Sequence, residues 1–215
     1  MDPLAAGLAV LAISLAAVYG PALGISPWWI TLLTVLALGS LSVDAARFGG
    51  RGGHLLAEAL PGGRLRLSHI AIHEAGHCLV AEVEALPVRQ VLVGSLACLR
   101  AGLGSCGSTV FDAPGRARLP GEELRRWSRV LQAGMVAERL VYGETARGGA
   151  DDRALLGQLW GLSGFDVETA QREQRQARRE VERLLRERRQ ALEQRAELLL
   201  AAAPRLGLPL AQPGR

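Results

Sequence analysis

Lysine is missing from this chain: all 25 basic residues are arginine, set against 21 acidic ones for a net charge of +4. That excludes a Walker A phosphate loop, whose lysine reaches the terminal phosphates of a bound nucleotide. It also excludes Schiff-base catalysis at a lysine amine. No ATP binding by this chain is expected. Cysteine is scarce as well. Cys78, Cys98 and Cys106 form no Cys-x-x-Cys pair. Their odd number and loose spacing argue against a disulfide framework and fit a reducing compartment. The opening "MDP" lacks the basic region that begins a signal peptide. Charge of either sign is absent from Leu4–Gly20 and again from Trp28–Val43.

Hydrophobic residues, 49% of the total, are concentrated in those two uncharged runs. Each is at the short end of what crosses a bilayer. Joined by the tight "PALGISP" turn, they predict a transmembrane hairpin over residues 1–43, with Trp28 and Trp29 at headgroup level. A single span with an interfacial helix is the competing arrangement. Arg47, Arg51, Arg64 and Arg66 follow the second run, whereas the turn between the runs has no basic residue. The positive-inside rule then puts both the N-terminus and the C-terminal domain in the cytoplasm of a multi-pass inner (plasma) membrane protein.

Residues 44–66 are Gly-rich and read as a linker around one short helix. A helix carrying "HEAGH" should end before Pro87. "VRQVLVG" is β-like, and "GLGSCGSTVFDAP" reads as a turn followed by a short strand. Leu124, Trp127, Leu131, Met135 and Leu140 recur at helical spacing. "DDRALLGQLWGL" opens with two aspartates, a favoured helix start. Asp166 to about Ala203 reads as one long helix with a stripe at Val181, Leu185, Leu192, Ala196 and Leu199. Its interleaved Arg and Glu allow i,i+3 and i,i+4 pairs, so a solvated helix face is a better reading than a nucleic-acid surface. Cys78, Trp127 and Trp160 read as core. Residues 207–215 read as a flexible tail.

The chemistry concentrates in "HIAIHEAGHCLVAEVEALP". On a helix His73 and His77 lie on one face, nearly stacked, and can present two imidazoles to one ion. Glu74 projects beside the position where water would sit, the arrangement of a metal ligand pair and its general base. Small Ala75 and Gly76 leave nothing bulky between the ligands, and Ile70, Ile72, Leu79 and Val80 supply apolar packing. The bland alternative is an ordinary helix with two satisfied histidines. A catalytic zinc needs a third protein ligand and an open position. His69 is one turn before His73, but three imidazoles on a straight helix cannot converge, because the outer pair is ~12 Å apart. His69 is expected as a neighbour or cap, and His54 as an exposed linker residue. The third ligand is then a carboxylate, with Glu138, Asp151 and Asp152 as candidates that spacing does not separate.

"HEAGHCLVA", then "AGMVAERLVYGE", then "GGADD" resemble, in order, the HEAGH helix, the GGRxAEE helix ending in FGE and the TGASND loop of the FtsH protease domain. The likeness spans about Leu67 to Leu206. It implies one zinc per chain held by His73, His77 and Asp152, with Glu74 as general base. Glu138 matches the first Glu of the AEE pattern and is read as a partner that orients a ligand imidazole. "GLGSCGSTVFDAP" is similar to the family strand that pairs with extended substrate. The AAA ATPase of FtsH has no counterpart between Val43 and Leu67, and the loop between the membrane runs is too short for the family's external domain. Arg139 replaces the second Glu of AEE, and "GGADD" replaces the Ser-Asn pair before the aspartate.

These readings combine into a mainly α protein: a transmembrane hairpin (1–43), a linker (44–66), then a helical zinc-metallopeptidase domain (67–206) with a small β-element and a long C-terminal helix. The expected activity is ATP-independent hydrolysis of unfolded or flexible polypeptide segments. The expected partners are a polypeptide substrate and the lipid bilayer, with a homo-oligomer or an AAA ATPase partner implied by resemblance. The competing function is a non-catalytic membrane adaptor that binds extended polypeptide. A purely structural zinc site is weaker, since such sites favour four Cys-rich ligands.

Overall fold

The computed structural model describes residues 3–48, 50–60, 62–112, 118–143 and 148–204. The expected tail at 207–215 lies outside them. The chain divides into two compact units, Met1–Gly53 and His54–Arg215.

The first unit holds α1 (Pro3–Tyr19), a 3-10 turn at Pro21–Leu23 and α2 (Pro27–Phe48). Gly20 sits against Ile30, where a Cβ would come within 2.7 Å of its side chain. Large apolar side chains, including Leu15, Trp28, Trp29, Leu33 and Leu36, are exposed around both helices. Burial therefore does not explain their hydrophobicity. Pro27–Ala46 is long and apolar enough to cross a membrane, with none of its hydropathic window buried. The described apolar part of α1, Val10–Tyr19, is shorter.

The one short helix expected within 44–66 is present, and the helices on either side run into the segment. Helix α2 runs on to Phe48, α3 occupies Arg51–Ala59, and α4 (Gly63–Val83) has already begun. Asp44 supplies part of the reason. Its carboxylate accepts from Gly52 N at 2.8 Å and Gly53 N at 2.9 Å, satisfying amides at the start of α3 that have no intrahelical partner.

In the second unit, β1 (Val88–Val93) pairs antiparallel with β2 (Gly107–Phe111), with Val91 opposite Thr109. Short α5 (Ser95–Arg100) connects them. Helix α6 (Gly121–Tyr142) packs against α4, α7 (Ala150–Leu162) and α8 (Val167–Glu187), while α9 (Arg189–Ala202) packs against α4. The fold is mainly helical, with a two-stranded sheet and a long C-terminal helical segment. That segment breaks at Arg188, which has φ −106° and ψ 25°. Val181 and Leu185 lie before the break and Leu192 and Ala196 after it, all buried in one cluster with Leu67, Val80 and Val130. A second cluster joins Leu124, Trp127 and Leu131 of α6 to Leu156 and Trp160 of α7. Trp160 Nε1 donates to Ser128 Oγ at 2.9 Å, which satisfies the polar handle of a buried indole. Cys78 and Cys98 are buried free thiols.

The contact between α4 and α6 positions the site. A Cβ at Gly76 would lie 2.7 Å from both the Ala133 carbonyl oxygen and Ala137 Cβ. Gly76 is thus small because α6 presses against it. Such close approach of two backbones brings the buried faces of α4 and α6 into register at side-chain range.

Candidate metal centre

His73 and His77, one turn apart on α4, are buried, as is Glu74 beside them. Helix α6 meets this face from one side. Val130 O lies 2.8 Å from His77 Nδ1. A carbonyl only accepts, so Nδ1 carries the proton and the Nε2 lone pair is free. Glu138 Oε1, also on α6, lies 2.6 Å from His73 Nδ1. Both imidazoles are therefore held by their Nδ1 atoms, leaving both Nε2 atoms for the site.

Helix α7 brings the carboxylate. Gly149, its N-cap, has φ +86°, a conformation costly for any residue with a Cβ. The turn puts Asp152 in the first helical turn, with Oδ2 at 3.0 Å from His73 Nε2 and 3.4 Å from His77 Nε2. His73, His77 and Asp152 form a group whose ligand atoms all lie within 4.8 Å of one another and could hold a metal ion. The structure thus separates the candidate carboxylates: Asp152 faces the shared Nε2 side, and Glu138 faces the outer nitrogen of His73. Asp151 is exposed and does not join the group.

The electrostatics fit a cation. Burial alone would lower the His73 pKa, but hydrogen bonds to Asp152 and Glu138 reverse this and carry it to about 10. Burial opposes ionisation of Asp152 too, yet His73 and His77 pull its pKa well below the usual carboxylate range. The site is organised around positive charge at its centre, carried by a proton on His73 or by a metal ion. Two imidazole nitrogens and one carboxylate oxygen make a donor set that could hold a metal ion.

Glu74 differs from Asp152. Burial raises its pKa, with His77 and His73 acting in the opposite direction. Thr109 Oγ1 on β2 donates to Glu74 Oε2 at 2.7 Å. A Cβ at Gly107 would lie 2.6 Å from Glu74 Oε1, so strand β2 passes directly over the carboxylate. Small residues also line the histidines. A Cβ at Gly134 would collide with the His73 ring, and one at Gly148 would come within 2.7 Å of His73 Nδ1.

The other histidines lie outside the group. His69 stacks on Tyr142 with ring centroids 3.6 Å apart, and its Nδ1 is 3.9 Å from Glu138 Oε2. His54 is half-buried rather than exposed, with Nδ1 2.6 Å from Arg66 Nη2. Thr109, the Val130 carbonyl and Gly134 were not expected from the sequence. A backbone carbonyl has no residue-type signal, and Thr109 and Gly134 lie in segments whose patterns report only strand and helix. No protein-family model matches the chain, and no curated protein matches it.

Proposed function

We propose that this chain is a membrane-anchored, ATP-independent zinc metalloendopeptidase acting on unfolded or flexible polypeptide segments. The observation that carries the reading is the convergence of buried His73 and His77 with half-buried Asp152 around one side of a helix that also carries Glu74. His73 and His77 would hold zinc through Nε2, and Asp152 through its carboxylate. A zinc ion supplies a Lewis acid that polarises a carbonyl and acidifies water. Val130 O and Glu138 keep the two imidazoles in one tautomer and orientation. Glu74 takes a proton from water and returns it to the leaving amine. Thr109 holds Oε2 of that carboxylate, which leaves Oε1 to carry the proton. Burial of Glu74 raises its pKa and so favours its accepting a proton.

The resemblance of "HEAGH", "AGMVAERLVYGE" and "GGADD" to the FtsH protease domain supports the same assignment. An adjacent strand, β2, offers a surface for pairing with extended polypeptide. Two apolar helices at the N-terminus, one of them long enough to cross a bilayer, support a membrane anchor. The arginines that follow α2 favour a two-span hairpin with the catalytic domain in the cytoplasm.

The test compares the parent with Glu74→Gln, purified in detergent and zinc-loaded, on an unfolded protein substrate. Both should bind zinc, and only the parent should cleave. Zinc binding with no Glu74-dependent cleavage would favour the adaptor instead.

A further inference from the structure

A pocket of about 340 Å³ opens between α6, α7 and α8. Gly148, whose Cβ position is 2.7 Å from His73 Nδ1, is part of its wall. Three exposed arginines line it from three helices: Arg139, Arg153 and Arg178. Among the described residues, no aspartate or glutamate lines it. None of the three makes an ion pair among the described residues, whereas Arg125 pairs with Glu173 and Arg129 with Glu84 and Glu180. Like charges gathered without a counter-ion repel one another, so the pocket favours an anionic occupant.

Two further features narrow the chemistry. The wall includes the apolar side chains of Met135, Val136 and Leu156, and Val136 and Leu156 are buried. Gln132 also lines the pocket and is only 7% exposed. Its Nε2 donates to two carbonyls, Ser128 O at 3.2 Å and Gln174 O at 2.9 Å. Both amide hydrogens are thereby used, which fixes the orientation of the group. Oε1 is left as an acceptor with no partner among the described residues, and a buried acceptor without a donor is costly. The occupant that suits the pocket therefore has an anion, an N–H and an apolar side chain close together. A free carboxylate on an N-acylated apolar amino acid meets all three conditions.

We propose that this pocket binds the C-terminal residue of a polypeptide. The carboxylate lies among the three arginines, the backbone N–H donates to Gln132 Oε1, and the apolar side chain rests on Val136 and Leu156. The proposal rests on the polypeptide-binding part of the reading above and does not require hydrolysis.

The test uses the full Glu74→Gln chain in detergent and a labelled peptide ending in leucine, as the free acid or the C-terminal amide. Binding is followed by fluorescence anisotropy. The free acid should bind at least about tenfold more tightly, the scale of one charge-assisted hydrogen bond. Added salt should reduce the difference. Arg139→Gln and Arg178→Gln, checked for unchanged melting, should each reduce the preference, and together abolish it. Equal binding of acid and amide overturns the proposal. So does a preference that survives the double substitution, or that free inorganic phosphate matches at equal concentration. Hydrolysis is scored separately on the parent, so failure of the peptidase reading and failure of this pocket give different results.

Discussion

Glu138 Oε1 lies 2.6 Å from His73 Nδ1, on the ring nitrogen that does not face Asp152. A carboxylate in that position fixes the tautomer and raises the basicity of the opposite nitrogen. Glu138→Gln keeps a partner for the ring and removes the charge. It should weaken zinc affinity by about 10- to 100-fold while leaving the fold intact, as read by competition with a chromogenic chelator and by circular dichroism. Unchanged affinity would remove Glu138 from the site.

Metal binding should be proton-linked. Without metal, His73 carries two protons up to a pH of about 10. Coordination at Nε2 expels one of them while Nδ1 keeps its hydrogen bond to Glu138. Zinc affinity should therefore rise with pH, by about tenfold per unit from this group alone, until pH passes the His73 value. Calorimetry at pH 7 in two buffers of different ionisation enthalpy should show about one proton released per ion from His73. No proton release would contradict the charge state described for His73.

Thr109 should matter to turnover and not to metal content. Thr109→Val removes the donor to Glu74 Oε2 while preserving shape. A hydrogen bond to a charged group contributes about 1.5–3 kcal/mol, so peptidase kcat should fall by about tenfold or more. Thr109→Ser should recover most of it, with zinc stoichiometry constant throughout. Equal kcat for Thr109→Val and the parent would show that strand β2 does not position the carboxylate.

Two glycines should fail differently. Gly76→Ala presses a methyl into Ala133 and Ala137 and should lower stability by about 1–3 kcal/mol through overpacking, read as a lower melting temperature. Gly134→Ala drives its methyl into the His73 ring and should weaken zinc binding in addition. Retained zinc affinity in Gly134→Ala would mean that the His73 ring has room to move.

The parts of this site that were legible in the sequence are those that obey local periodicity. Four-residue spacing puts His73 and His77 on one face, and the two aspartates mark the start of α7. Their mutual placement depends on how α4 crosses α6, and that crossing depends on Gly76, Ala133 and Ala137 rather than on any ligand. The carboxylates Glu138, Asp151 and Asp152 were therefore equivalent by spacing and become distinct only once α6 and α7 are packed. Within the glycine-rich segment 44–66 the one short helix was legible, but the reach of α2 and α4 into it was not. Glycine lowers helix propensity, but Asp44 offsets that cost by capping α3 from a residue outside it. The stripe of α8 and α9 was visible, whereas the break at Arg188 was not, because the apolar spacing stays in step across it.

The most direct test of the central claim is the zinc content of the purified, dialysed chain, measured by elemental analysis for the parent, Glu74→Gln, His77→Ala and Asp152→Ala. The parent and Glu74→Gln should each retain one zinc per chain, and His77→Ala and Asp152→Ala should lose it. A parent that binds no zinc, or an Asp152→Ala chain that holds it as tightly as the parent, would contradict the account.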